Sequence, residues 1–341
     1  MTPLPTGASA AQPVRSVELV MTPPQPFRLD LTALALVRRP NNRIDTWRGG
    51  TYARWVPTRD PHGPEPVPQF LLEVSGSQDH AGQRPADGGT ERLLVRATGS
   101  LDEQELARLA ERTVTKMFGL DVDMAPFYAL ASSSAELGPL VERLRGLRPP
   151  RYPGVFQALL NAVPCQQVTL VLGLRLLEGL ARTYGPGYGG PLEPDEAGPL
   201  PLPGAAALAA ARPEALTAQG LSRAKARTLI ELSEACVTGQ LDLSKLPDAP
   251  NEAVSERLQQ LFGIGRWTSD YVLLRGLGRL DVFPHGDSGA RNGLARFVGV
   301  EGKPSYEWVA QTVAPWQPYA GFVYLHLLVN GMLRTGEFGA L

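Results

Sequence analysis

The hydrophobic period of this 341-residue sequence changes near residue 100, and the change limits the folds that the chain can adopt. Between residues 27 and 99, short alternating segments rich in β-branched and aromatic residues are separated by turn formers, which is typical of strands. Beyond residue 100, apolar residues recur at helical spacing almost to the end of the chain. The sequence therefore predicts an α+β protein, with an antiparallel β-sheet followed by a mostly helical body.

Four segments carry the strand pattern: FRLDLTALAL from Phe27, TWRGGTYARWV from Thr46, QFLLEVSG from Gln69 and RLLVRATG from Arg92. Gly49 and Gly50 stand between two aromatic segments, as in a tight hairpin turn. The polar segment 75–91 predicts a loop. Ser100 and Glu103 then have the spacing of a capping box, which predicts that the first helix of the body begins here.

Three regions follow from this pattern. Residues 1–26 are rich in Pro, Ser, Thr and Ala and lack a basic start followed by an apolar stretch, so we expect a disordered tail rather than a secretory signal. Residues 27–115 are predicted to form an accessory β domain and residues 116–341 a helical domain. Within the latter, the Pro/Gly-rich segment 185–204 predicts a loop. No apolar run reaches eighteen residues, so no membrane span is expected.

The composition excludes some classes of function but does not indicate a particular one. The chain is 43% hydrophobic and 20% charged, and its net charge of −1 gives no bulk signal for a nucleic-acid partner. Its two cysteines, Cys165 and Cys236, are too few for a disulfide framework, a four-cysteine zinc site or an iron–sulfur cluster. We therefore expect a cytoplasmic protein without a cofactor. Basic residues do outnumber acidic ones locally: Arg257, Arg266, Arg275, Arg279, Arg291 and Arg296 against Asp270, Asp281 and Asp287.

The segment LFGIGRWTS, Leu261–Ser269, lies between two helical patterns. Gly263 and Gly265 flank Ile264 and allow a very tight turn, because glycine tolerates positive φ and close backbone approach. The N–H groups at the start of the next helix would then point outward and suit a phosphate. A plain helix–helix turn with Ile264 packed inward explains the same spacing equally well.

The longer segment LFGIGRWTSDYVLLRGLG, followed by DVFPHGD, resembles the helix-hairpin-helix DNA glycosylase superfamily, and in particular its 3-methyladenine DNA glycosylase II branch of alkylation-repair enzymes. Further segments that begin at Met117, Leu140 and Gly220 resemble other parts of that family, so the likeness covers residues 117–330. It implies a helix-hairpin-helix at about 252–277 and a monomeric enzyme that acts on double-stranded DNA with damaged bases.

In that superfamily the hairpin grips the DNA backbone near the lesion, often with a bound monovalent cation. The resemblance assigns this role to the backbone of Gly263, Ile264 and Gly265, and Arg266 could add a positive charge. No other metal is expected.

Asp287 follows FPHG and precedes SGARNGLARF, which predicts a helix N-cap worth about 1 kcal/mol. By resemblance it also matches the family's catalytic aspartate, and the two roles are compatible. Because a helix N-terminus favours the ionised carboxylate, we expect Asp287 to act chiefly as a fixed negative charge. It would stabilise the oxocarbenium-like sugar and secondarily orient a water. His285 could be an acid or could shape the turn.

Superfamily members that also cut the DNA strand carry a lysine in the hairpin, which forms a Schiff base with the sugar. Trp267 stands in that place here, and no lysine lies between Lys245 and Lys303. The resemblance therefore implies a monofunctional hydrolase that leaves an abasic site.

Trp267, Tyr271 and Trp316 match aromatic positions of the family's base pocket, where an electron-rich ring would hold a flipped cationic base such as 3-methyladenine or 7-methylguanine. Core packing explains such aromatics equally simply. Gln166 and Gln167 match the segment that enters the gap left by the base, although a polar helix start facing solvent fits them too.

Two other functions stay open on the sequence. One is a non-catalytic helix-hairpin-helix module that only binds DNA. The other is a glycosylase for a different base, such as uracil, hypoxanthine or an oxidised purine.

Overall fold

The computed structural model of the chain describes residues 13–76, 92–186, 198–302, 304–336 and 338. The first twelve residues of the predicted tail lie outside this part. So do most of the predicted loop at 75–91 and the middle of the one at 185–204.

Within the described residues, five antiparallel strands form one sheet in the order β1-β5-β4-β3-β2. Their bounds are β1 Arg15–Met21, β2 Thr46–Arg48, β3 Thr51–Pro57, β4 Gln69–Gly76 and β5 Leu93–Gly99. Buried and partly exposed residues alternate along β3 and β4, so that Tyr52 pairs with Val74 on the inner face. Gly49 and Gly50 both have positive φ and form the β2–β3 turn, which confirms the predicted hairpin.

The helical body follows the sheet, as predicted. The helices are α1 Leu29–Val37, α2 Glu103–Met117, α3 Ala125–Ser132, α4 Leu137–Arg143, α5 Val155–Cys165, α6 Leu170–Tyr184, α7 Ala205–Ala209, α8 Pro213–Ala218, α9 Arg223–Val237, α10 Asn251–Gln259, α11 Arg266–Val272, α12 Ser288–Phe297, α13 Tyr306–Val313 and α14 Ala320–Thr335. A π-helical turn, Leu273–Leu277, continues α11. No helix in the described ranges is long and apolar enough to cross a membrane.

The segment from Phe27 is a helix, α1, and the predicted strand is wrong. Every residue of α1 is buried. Because apolar neighbours surround the helix, its sequence needs no polar face and shows no helical period. The alternation in LDLTALALV imitates a strand instead.

The predicted disordered tail is also wrong over its second half, because β1 lies within it and pairs with β5 along its whole length. The exposed positions of β1, Glu18 and Val20 among them, alternate with partly buried ones, as on an edge strand with one solvated face.

The first helix of the body is capped by Asp102 rather than by Ser100, since Asp102 accepts a hydrogen bond from the Glu105 N–H.

Two hydrophobic clusters form the core. The first joins the sheet to the helices around the hairpin and includes Tyr52, Leu159 and Ile264. The second gathers α3, α4, α12, α13 and α14. Helix α1 belongs to both, with Leu36 in the first and Leu34 in the second. The predicted segments 27–115 and 116–341 therefore share a core.

Candidate active site

The turn between α10 and α11 is as tight as the glycine spacing predicts. Gly263 has φ +73°, and a Cβ there would lie 2.0 Å from Thr228 Oγ1, so only glycine fits. Ile264 is 4% exposed and packs into the first core cluster. A Cβ on Gly265 would meet no atom of the described residues within 4 Å. The turn is therefore anchored by Ile264, while its Gly265 side is open.

Arg266, the first residue of α11, has a side chain that is 73% exposed. Its Nε donates to Oδ1 of Asp270 at 2.9 Å. Burial raises the pKa of Asp270, and the Arg266 guanidinium partly opposes that rise. Arg266 thus has donors left over on the surface beside the hairpin.

Asp287 is the N-cap of α12, which confirms the predicted cap. Its Oδ1 accepts a hydrogen bond from the Ala290 N–H at 2.9 Å. Its Oδ2 accepts one from the Trp267 indole Nε1–H at 3.1 Å. Each carboxylate oxygen therefore has a hydrogen-bond donor, and the side chain remains partly exposed.

Trp267 lies in the first turn of α11, directly against the turn that precedes Asp287. A Cβ on Gly286 would be 3.0 Å from the Trp267 Cβ, so the absence of a side chain at Gly286 permits this contact. The Trp267 ring lies 5.7 Å from the Tyr271 ring, with an angle of 30° between their planes. One edge of the indole thus meets the carboxylate while the ring adjoins a second aromatic.

Asp287, Trp267 and Tyr271 share a cleft of about 480 Å³. Its other lining residues come from α1, α5, α6, α12 and α14 and the segments beside them, among them Arg38, Cys165, Leu170, Gly293 and Tyr324. The structure thus brings together three residues that the sequence places in the site, and adds several that it does not.

Trp316 does not lie among the lining residues of this cleft, so the structure does not bring it together with Trp267 and Tyr271. It is 3% exposed in the second core cluster and packs edge-on against Phe297, with 6.1 Å between ring centroids. The short 3₁₀ turn Ala314–Trp316 directs the indole into the protein. Trp316 follows the core-packing alternative.

Tyr271 lines the cleft but its hydroxyl is committed to other residues. The Tyr271 hydroxyl oxygen lies 2.9 Å from the Tyr152 hydroxyl oxygen, and it accepts a hydrogen bond from Arg38 Nη1 at 3.3 Å. Burial raises the pKa of Tyr271 well above its ordinary value, so the phenol stays neutral. Arg38 Nη2 also donates to Asn161 Oδ1 at 3.0 Å. No motif in the sequence indicates this network, because its members come from distant segments.

The two glutamines after Pro164 have different environments. Gln166 donates through Nε2 to the Gly263 carbonyl and to Thr268 Oγ1, both at 2.9 Å. Gln167 is exposed and has φ +53°. Gln166 therefore ties the end of α5 to the hairpin, whereas Gln167 is exposed at the surface.

His285 lies outside the Asp287 cleft. Its ring packs against Phe283, and it lines a separate cleft of about 320 Å³ that also borders Asp270. The local arginine excess is partly structural as well. Arg275 is buried and donates to the Ala35 carbonyl, and Arg279 donates to the carbonyls of Pro247 and Ala249.

Residues 160–318 match the model of the HhH-GPD superfamily of base excision DNA repair proteins. The chain is 30% identical over 197 residues to DNA-3-methyladenine glycosylase 2 of Escherichia coli, which covers 56% of this chain and 63% of the relative. It is 25% identical over 214 residues to the DNA-3-methyladenine glycosylase of Bacillus subtilis. That match covers 63% of this chain and 69% of the relative. Across the curated relatives, the chain spans between 36% and 69% of the relative's length.

A solved structure of a 3-methyladenine DNA glycosylase from Archaeoglobus fulgidus has the same fold. Its TM-score is 0.75 at 20% identity, and the match covers 95% of this chain and 99% of that one. The resemblance of the sequence to the helix-hairpin-helix superfamily and its 3-methyladenine branch is thus confirmed.

Proposed function

We propose that this chain, which carries an HhH-GPD domain over residues 160–318, is a monofunctional DNA glycosylase. It flips an alkylated purine out of the duplex, hydrolyses its N-glycosidic bond and leaves an abasic site. One observation carries the proposal: the Asp287 carboxylate, hydrogen-bonded by Trp267, opens into a cleft beside the hairpin.

Asp287 acts in this mechanism through its charge. Donors from Ala290 and Trp267 hold both oxygens and fix the orientation of the carboxylate. A fixed negative charge stabilises the positive charge that develops on the sugar as the bond to the base breaks. The same oxygens can orient the attacking water. An alkylated purine is cationic and leaves readily, so the site needs no strong general acid.

The Trp267 ring provides a surface on which the flipped base stacks. Tryptophan suits a cationic base, because the face of an indole attracts positive charge. Tyr271 extends the aromatic surface below it.

The hairpin backbone at Gly263–Gly265 is proposed to hold a DNA phosphate, together with a monovalent cation, and Arg266 adds positive charge there. Gln167 is the better placed of the two glutamines to enter the gap left by the base, since it is exposed. Gln166 instead holds the hairpin and the gap-facing segment together.

The absence of strand cleavage is proposed from the position of Trp267, where a lyase would need an amine. Three lysines lie in the described ranges, and none of them lines the cleft. Lys116 and Lys225 donate to the carbonyls of Pro153 and Pro164, and Lys245 pairs with Asp242.

We further propose that the protein works as a monomer on double-stranded DNA in the cytoplasm. Support for a reducing compartment comes from Cys165 and Cys236, which are both unpaired thiols.

The test is base release from a duplex with a single 7-methylguanine. Wild type, Asp287→Asn and the control Asp281→Asn, whose carboxylate lies outside the cleft and accepts from Asn251, are compared with and without alkali. Asp287→Asn should lower the single-turnover rate by about 100-fold or more, and Asp281→Asn should not. Strands should break only after alkali.

Strand breaks without alkali would contradict the monofunctional mechanism. Binding without release by wild type, on this and on other damaged bases, would favour the non-catalytic module.

A further inference from the structure

We infer that Arg227 of α9, which lies on the ring of Phe262, binds a second DNA phosphate beside the one assigned to the hairpin backbone. The inference rests on the proposed function and extends its DNA-binding surface from the hairpin to α9. The ligand is a phosphodiester of the duplex backbone, so this contact adds affinity and fixes orientation without reading the base sequence.

Phe262 is an exposed aromatic residue at the start of the glycine turn. It directly precedes Gly263, and it is 38% exposed. Two positions further on, Ile264 is buried in the first core cluster. The turn is therefore anchored on one side and presents a ring to solvent on the other, next to the backbone that is proposed to hold a phosphate.

The guanidinium of Arg227 lies over this ring, with its Cζ 3.8 Å from the ring centroid. Its Nε donates to Oε1 of Glu231 at 2.6 Å, one helical turn further along α9. Among the described residues, Nη1 and Nη2 of Arg227 have no acceptor, and the side chain is 58% exposed. The ring and the carboxylate thus hold the guanidinium in place, while the paired N–H donors of Nη1 and Nη2 remain available to a ligand.

The residue after Arg227 fixes α9 against the turn. A Cβ on Gly263 would lie 2.0 Å from Thr228 Oγ1, so the helix and the turn are in direct contact. Thr228 is buried, and its Oγ1 donates to the Ala224 carbonyl at 2.9 Å. The Arg227 guanidinium therefore has a defined position relative to the hairpin backbone.

A phosphate is the ligand that this arrangement suits. Stacking on a ring orients a guanidinium in advance, and its Nη pair matches two oxygens of a phosphate. Arg223 is exposed one turn earlier on the same face of α9, so it offsets the charge of Glu231. Arg266 has donors left over directly after the turn. Positive charge thus flanks the glycines on both sides.

The experiment measures how salt weakens binding to an undamaged duplex. The Kd is determined between about 50 and 200 mM salt for wild type, Arg227→Gln and Phe262→Leu, because each phosphate contact contributes about 0.9 to the slope of log K against log salt concentration. Arg227→Gln should lower the magnitude of this slope by about 1 and weaken binding about tenfold at the lower salt concentration. Phe262→Leu should keep the slope, since the charge stays, but weaken binding about threefold because the guanidinium is no longer pre-organised.

Arg145→Gln is the matched control for Arg227→Gln. The Arg145 guanidinium also lies over a ring, with its Cζ 4.8 Å from the Tyr128 ring centroid, and it also donates to a glutamate, Glu142. Arg145 adjoins Gly146, which accepts from the backbone at the N-terminal end of α1, whereas the opposite end of α1 borders the cleft. The slope of this variant should equal that of wild type.

An unchanged slope in Arg227→Gln would overturn the inference, even if the melting temperature fell, because Arg227 would then serve stability alone. An equal fall of the slope in Arg145→Gln would also overturn it, since net charge would explain both effects. Unchanged affinity in Phe262→Leu would overturn the role of the ring. A wild type that binds the duplex but releases no damaged base would overturn the proposed function, whereas the slopes would still decide this inference.

Discussion

The two walls of the cleft are built in different ways. The hairpin wall, Gly263–Ala290, is one continuous segment in which turn, indole and carboxylate follow each other along the chain. The N-terminal wall includes Arg38, whose hydrogen bond to Asn161 joins residues 123 positions apart. Local sequence dictates the first wall, whereas only the packing of distant elements creates the second. The chemistry of the first can therefore be found by motif, and that of the second cannot.

The largest expected effect concerns the core behind the N-terminal wall. His326 on α14 packs against Phe127 and Phe322 in the cluster that also holds Leu34 of α1. Burial lowers the pKa of His326 to about 4, although its hydrogen bond with the Phe322 carbonyl opposes this. The unfolded chain thus takes up the proton first as the pH falls. Stability should be full above about pH 6.5 and decrease by about 3 kcal/mol down to about pH 4.

Urea unfolding of wild type and His326→Gln at pH 7 and pH 4.5 checks this prediction. The variant should lose less free energy of unfolding on acidification than wild type does. Equal losses in both proteins would show that His326 is not the acid-sensitive group of this core.

A smaller effect is expected in the hairpin wall. Gly263→Ala introduces a Cβ at positive φ against Thr228, so it should destabilise the turn by about 2 kcal/mol and weaken DNA binding. Gly265→Ala is its matched control, because that position has ordinary φ and open space. Thermal melting and DNA titration of both variants provide the measurement. The hairpin would not depend on Gly263 if both glycines tolerated alanine equally.

The smallest effect tests the link between Trp267 and Asp287. Trp267→Phe keeps an aromatic ring for stacking but removes the Nε1–H donor, so the excision rate should fall about tenfold. If the indole acts through the carboxylate, the same substitution should have little further effect in an Asp287→Asn background. Additive losses in this double-mutant cycle would mean that Trp267 acts by stacking alone.

Much of the hairpin wall was predictable from the sequence. Gly263 has a conformation that only glycine adopts readily, and Asp287 caps the helix that its position implies. The order of sheet and helices also followed from the change of hydrophobic period. These features depend on neighbours along the chain, which a single sequence displays.

The failures share a different physical origin. Helix α1 has no polar face because protein surrounds it, so its sequence lacks a helical period and was interpreted as a strand. Trp316 turns into the core, although its spacing suits a pocket residue. Arg38 is held beside the cleft by hydrogen bonds to Tyr271 and Asn161, which no local pattern encodes. Each of these outcomes was decided by tertiary packing.

The hydrogen bond from Arg275 to the Ala35 carbonyl, 2.7 Å long, spans 240 positions of the chain. A ribosome makes the N-terminal segment first, so α1 must wait for the synthesis of more than two thirds of the protein before this contact can form. Contacts of such sequence separation are costly to close and form slowly. A fragment limited to residues 160–318 would carry the glycine turn and the carboxylate without Arg38 and without the residues of α14 that also line their cleft. The chemistry of the site is thus encoded locally, but its enclosure depends on contacts between distant parts of the chain.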